Sequence, residues 1–186
     1  MKISFLKTVL FLTTLLGLSC SNNDDLQEQL PPITQKGANT FGAIVDGKVF
    51  VAKDKTGYYP PGGGTPKGIA VTVGSFLPYY EYFGVDLRNY EDIYMYIYIP
   101  KEFPEETTYT FQVSPAVRSS LETPNFPHFF CSINGNRYIS YENSGSITFS
   151  KIDYNEGIYA GTFSLKLKNK NNPTDIIKIT DGRFDF

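Results

Sequence analysis

From residue 39 onward, apolar and polar side chains alternate with the period of two that belongs to strands, not with the period of helices. In 93–99, Ile93, Met95, Ile97 and Ile99 fall on one side and Tyr94, Tyr96 and Tyr98 on the other. In 161–168, Phe163, Leu165 and Leu167 oppose Ser164, Lys166 and Lys168, the signature of a strand with one wet face. Residues 41–45 and 48–52 flank Asp46-Gly47, a strong two-residue hairpin signal. Further strand-like runs cover 68–74, 83–87, 92–99, 107–113, 129–133, 138–142, 146–152, 157–168 and 175–186, separated by Gly, Pro, Asn and Asp. In the last run, Asp181-Gly182 predicts a bulge or bend. No helical stretch of ten residues follows the first segment, and no period of 20–50 residues recurs. The expected fold is all-β: a single antiparallel β-sandwich of about nine to eleven strands over residues 39–186, with a closed β-barrel as the alternative.

The first twenty residues follow another rule. Lys2 and Lys7 precede an almost unbroken apolar run over 9–18, too short to span a bilayer, and Ser19-Cys20 comes directly after it. This is the layout of a lipoprotein signal peptide over 1–19, cleaved before Cys20, whose thiol carries the lipid. Gly17 stands three residues before the cysteine, where such signals usually have Leu, and Leu16 lies one place further back. Two or three acyl chains, at roughly 0.8 kcal/mol per buried methylene, make such an anchor effectively permanent. Residues 20–38 are polar, contain Pro31-Pro32 and lack periodicity, so they read as a flexible tether. At full extension it reaches roughly 60 Å from the membrane.

Charge and cysteine use narrow the functional classes. The whole chain has a formal charge of −2, and losing Lys2 and Lys7 with the leader makes it −4. With no basic cluster it has no footprint for nucleic acid. Lipidation of Cys20 leaves Cys131 without a partner, so the core and not a disulfide must hold the domain together. Cys131 sits in an apolar run, and His128, the single histidine, falls on the opposite face of the same strand.

Three segments point to a family. LPPITQKGANTFGAIVDGKVF (30–50), GTFSLKLKN (161–169) and IKITDGRFDF (177–186) resemble those of a family of lipoproteins from Bacteroidota to which no activity is assigned. The resemblance covers both ends of the mature chain and implies an all-β extracytoplasmic domain. The family position matching Ala43 is often Cys, a residue absent here. Asp24 and Asp25, soon after Cys20, resemble the acidic signal that sends lipoproteins of this group to the cell surface. The expected address is therefore the outer membrane, lipid-anchored and surface-exposed, with its periplasmic face as the alternative.

Catalytic vocabulary is sparse. There is neither a G-x-S-x-G elbow nor an H-E-x-x-H pair, and one histidine cannot build a multi-histidine zinc site. Glu81, Asp86, Glu91, Asp92, Glu142, Asp153 and Glu156 stand near strand ends with nothing to pair any two across a cleft. Asp153-Tyr154-Asn155-Glu156-Gly157 has the residue types of a calcium loop but sits between two strands, where they make a turn. No cofactor or metal is expected.

Aromatic content is more telling: fourteen Tyr and fifteen Phe, without Trp. Tyr58 and Tyr59 open a Gly/Pro-rich loop, Tyr79, Tyr80 and Tyr82 follow Pro78, and Tyr94, Tyr96 and Tyr98 form one side of a strand. These eight tyrosines are the candidate ligand-binding residues, for a glycan by ring stacking or for a surface protein; for Tyr94, Tyr96 and Tyr98 the alternative is a central strand buried on both faces. The expected function is non-catalytic binding of an extracellular ligand or partner. The alternatives are a carbohydrate-active hydrolase and a structural accessory of an outer-membrane assembly.

Overall fold

The computed structural model describes residues 29–57, 62–76, 80–101, 104–118 and 125–186. Those residues form eleven strands, all paired antiparallel, in one sheet curled into a half-barrel. They are β1 (Thr40–Val45), β2 (Lys48–Val51), β3 (Ile69–Phe76), β4 (Tyr80–Arg88), β5 (Ile93–Ile99) and β6 (Thr108–Thr110). β7 (His128–Ile133), β8 (Asn136–Ile139), β9 (Gly145–Asp153), β10 (Ile158–Asn169) and β11 (Ile176–Asp185) complete the set. The order across the sheet is β2-β1-β11-β10-β8-β7-β5-β4-β3, with β9 attached to β10 and β6 to β9.

Strand β10 explains how one sheet makes two layers. One of its edges carries β11. The other pairs with β9 over Ile158 to Leu165 and then with β8 only at Lys168 and Asn169. The sheet folds over at that narrow seam, so that β3, β4, β5, β7 and β8 face the remaining strands. Rings bridge the gap: Phe83 lies 5.7 Å from Phe149 and 4.9 Å from Tyr159, and Phe129 lies 6.0 Å from Phe163. The sandwich-like core is therefore continuous with a single hydrogen-bonded sheet. Each large side chain removed from water there contributes about 1.5–3 kcal/mol.

Local signals account for the turns. Asp46 (φ 48°) and Gly47 (φ 84°) both occupy the left-handed region, as the hairpin between β1 and β2 requires, and Asn134 and Gly135 repeat the device between β7 and β8. In β11 the register shifts against both neighbours, opposite 42–44 and 163–165, and Asp181 adopts φ 52°. This is the bulge the sequence predicts there. The Asp153 carboxylate accepts the N–H groups of Asn155 and Glu156, which closes the turn into β10. β6 covers only three of the residues expected to be extended over 107–113, because the chain leaves the sheet after Phe111 has filled the core.

The tether reading of 20–38 needs correction over its last part. Asp185, 1% exposed, accepts hydrogen bonds from the Thr34 hydroxyl (2.5 Å) and the N–H groups of Lys36 (3.1 Å) and Gly37 (2.8 Å). Burial alone raises the pKa of this carboxyl, but these bonds and one from the Ala38 N–H together hold it below the usual carboxylate range. Gln35 reaches Ser150 at 2.9 Å. Upstream, a Cβ on Gly42 would meet Pro31 Cδ at 2.5 Å, so glycine lets residues 30–31 lie directly on β1. Residues 30–38 thus belong to the folded unit. Cys20 and the signal segment lie outside the described residues.

Candidate functional site

The outward face of β4, β5 and β7 is where the sequence pattern and the geometry meet. Alternation in β5 places Met95, Ile97 and Ile99 in the core and Tyr94, Tyr96 and Tyr98 on the other side. That other side is covered as well: Tyr96 and Tyr98 are only 2% and 1% exposed and pack with Phe130. This central strand is therefore buried on both faces, and Tyr96 and Tyr98 form no open platform. Tyr82 and Tyr94 are half-buried, Tyr80 joins β4 by its backbone, and Tyr58, Tyr59 and Tyr79 lie outside the described residues.

A strap of irregular chain, residues 112–118, crosses this face. It starts at β8, where the Gln112 carbonyl accepts from the Ser140 hydroxyl and Ser114 N–H donates to the Ser140 carbonyl. It passes β7, where the Ser114 hydroxyl meets His128 Nδ1 at 3.2 Å, and Arg137 donates to the Ala116 carbonyl at 2.8 Å. It ends over β4, with Arg118 bonded to the Asp86 carboxylate. Asp86 is buried and also accepts the Tyr94 hydroxyl at 2.5 Å. Burial first, and then this bond, push the Tyr94 phenol well above its ordinary pKa, so it remains a donor.

Beneath the strap lies a row of nearly parallel rings. Tyr82 stacks beside Tyr98 (5.9 Å, 17°), and Tyr98 on His128 (4.7 Å, 17°). A Cβ on Gly74 would collide with the Tyr82 ring at 2.5 Å, and one on Gly84 with the Tyr96 hydroxyl at 2.9 Å, so two glycines make room for two tyrosines. Ser114 Oγ accepts from the Ala116 N–H and pairs with His128 Nδ1, which leaves Nε2 as the ring nitrogen turned away from the strap. That Nε2 is buried without a hydrogen-bond partner. Burial pushes the His128 pKa down to about 4, leaving the ring neutral.

The same face opens at the β4–β5 turn. A hollow of about 260 Å³ is lined by Arg88, Tyr90, Tyr94, Asp92 and Ser132 among others. A second, of about 340 Å³ and bounded by Lys53, Asp54, Lys55 and Asn89, shares Tyr90 and Glu91 with it. Both are near the ~300 Å³ lower bound of small-molecule sites. Arg88 lies over the Tyr94 ring at 4.7 Å. Tyr90, the ridge between the hollows, has φ 60°, a conformation in which a bulky side chain is a real outlier. Its hydroxyl donates to the Lys67 carbonyl at 2.9 Å, and the Asn89 side chain fixes the turn by accepting the N–H groups of Glu91, Asp92 and Ile93. A third hollow, about 370 Å³, lies on the other layer and is lined by Ser146, Thr148, Thr162 and Ser164, but its one ring, Phe163, is buried in the core.

Of the eight candidate tyrosines, then, the structure brings Tyr82, Tyr94, Tyr96 and Tyr98 together and leaves Tyr94 at a cleft. Arg88, Tyr90, Asp86 and Arg118 join them. An aromatic residue inside the N-x-x-D turn at 89–92 is the signal by which Tyr90 is found in the sequence. No family model matches the chain, and neither curated proteins nor solved structures give a match.

Proposed function

We propose that this chain is a lipid-anchored outer-membrane lipoprotein whose β domain binds an extracellular glycan without transforming it, at the cleft of Tyr90 and Tyr94. The carrying observation is Tyr90: a tyrosine in left-handed backbone costs of order 1 kcal/mol or more, and such outliers concentrate at ligand sites. Here it stands between two hollows, close to the Arg88–Tyr94 stack, with Asp92, Glu91 and Ser132 alongside. Rings to stack on and polar groups at the rim are the chemistry a sugar ring needs.

The non-catalytic reading rests on where the reactive groups lie. Cys131 is packed in the core, where burial raises its thiol pKa far above the reactive range, and His128 faces away from it. The Asp86 carboxylate is taken up by Tyr94 and Arg118. Anchoring at Cys20 and surface exposure rest on the leader, on Asp24-Asp25 and on the family resemblance.

Affinity electrophoresis of the chain from residue 21 against a polysaccharide panel tests the binding. Retardation by at least one glycan that disappears in Tyr90→Ala and Tyr94→Ala supports the reading. Migration unaffected by every glycan, or retardation indifferent to both changes, sinks it. Release of reducing ends by the wild-type chain points instead to a hydrolase. Protease shaving of intact cells reads the address, and a protected domain overturns surface exposure.

A further inference from the structure

The two ends of the sheet differ in how they are finished. β2 is four residues long and begins with Lys48, and β6, at the end of its branch, has three residues. β3 has eight residues, Ile69–Phe76, with no charge and no proline. Among the described residues it pairs only with β4. Sheet edges are normally protected by shortness, charge, proline or a bulge. β3 has none of these, and its middle, Ala70 to Val73, is exposed on both faces. Val71 and Val73 stand on the face of Val85 and Phe83, which are fully buried, yet are themselves 37% and 40% exposed.

Strand geometry says which groups are available. Arg88 N–H donates to the Gly68 carbonyl at 2.8 Å, so that carbonyl points at β4, while the Gly68 N–H donates to Asp54. By alternation Ala70 and Thr72 turn their N–H and C=O groups to β4, and Val71 and Val73 turn theirs to the other side, where no described strand pairs.

We propose that β3 pairs antiparallel with β3 of a second copy of this chain, about a two-fold axis at Thr72. In that register Val71 exchanges both backbone hydrogen bonds with Val73 of the second copy, and the reverse. The two Thr72 residues face each other as a non-bonded pair, Cα atoms ~4.5 Å apart. The valines of both copies meet on the core side of the sheet and remove each other from water. Self-complementarity is what selects a second copy: symmetric pairing of an uncharged strand brings no like charges together.

Cross-linking of the full-length chain in its membrane tests this. Thr72→Cys forms a disulfide-linked dimer on mild oxidation, because ~4.5 Å is within disulfide reach. Ala70→Cys, which faces Gly74 of the second copy, gives about tenfold less. Cys131 is buried and does not interfere. In a second series, Thr72→Lys and Thr72→Glu each weaken self-association by about tenfold or more, and mixing the two variants restores it. Equal cross-linking at 70 and 72, or unchanged association of the Lys variant, overturns the pairing. So does a Thr72→Cys adduct with a different protein in place of the dimer.

Discussion

Residues 30–38 and residues 112–118 are both straps of irregular chain laid across the outside of the sheet, and each comes to rest on a buried ionisable side chain. The first rests on Asp185, whose carboxylate receives the Thr34 hydroxyl and successive backbone N–H groups. The second rests on His128, which has one polar contact and an orphaned Nε2. The left-handed residue closing the first strap is Asn39, a type that tolerates the conformation; in the second it is Ala116, which does not. One strap is a fastening with its polar groups satisfied. The other gives up stability over a tyrosine-rich face, and giving up stability is expected where binding and not folding shapes the residues.

The largest way to break this comparison is to remove the first strap. A chain beginning at residue 39 strips Asp185 of these donors and of the cover they provide, and should lose about 2–4 kcal/mol relative to one beginning at residue 29. Urea denaturation of the two forms measures it. A difference below ~1 kcal/mol would show that residues 30–38 merely lie on the domain.

A pH titration separates the straps without cutting either. The folded-state pKa of His128, about 4, lies below its ordinary 6.5, so the fold favours the neutral ring. Stability is therefore complete above pH 6.5 and falls progressively towards pH 4, by about 3 kcal/mol. Asp185 has the same sign in a lower window: its contribution is present above the ordinary carboxylate pKa and is lost only as pH falls through the depressed folded value. In His128→Phe the slope between pH 6.5 and 4 should vanish, with the more acidic fall intact. A slope unchanged by the substitution would mean that the imidazole titrates freely.

Opening the clasp of the second strap should cost less. Arg118 is more than half exposed and its partner Asp86 is buried, so Arg118→Ala should lose about 1–2 kcal/mol, discounted for solvent around the guanidinium. The sharper readout is local: amides of residues 112–117 should exchange faster with solvent, and those of β10 and β11 should change little. Uniform acceleration across the sheet would show that the strap has no independence.

How much of this was legible beforehand follows from the range of the interactions. Hairpins, the β5 and β10 alternation and the β11 bulge are local or period-two features, and the residues announce them. The fastening joins Thr34 to Asp185, 151 positions apart, and nothing near either residue signals the other. The two residues lie near opposite ends of the described chain, and only the folded sheet brings them together. The β5 tyrosines teach the opposite lesson. Alternation put them correctly on the face opposite the core, but whether that face is wet depends on a strap whose first residues look like a continuing strand. Binary pattern assigns sides; it does not say what lies over them.

The smallest expected stability effect gives the cleanest test of the site. Replacing Tyr90 by glycine relieves a left-handed conformation worth roughly 1 kcal/mol and forfeits an exposed hydrogen bond to the Lys67 carbonyl worth roughly the same. The two terms oppose each other, so Tyr90→Gly should melt within ~0.5 kcal/mol of wild type, as followed by thermal unfolding. Glycan retardation, in contrast, should vanish, since the ridge between the two hollows is gone. Unaltered stability with lost binding would mean that the strain serves a ligand. A loss of ~2 kcal/mol with binding intact would make Tyr90 a structural pin for the loop at Lys67 and return the tyrosines beside it to the packing of the sheet.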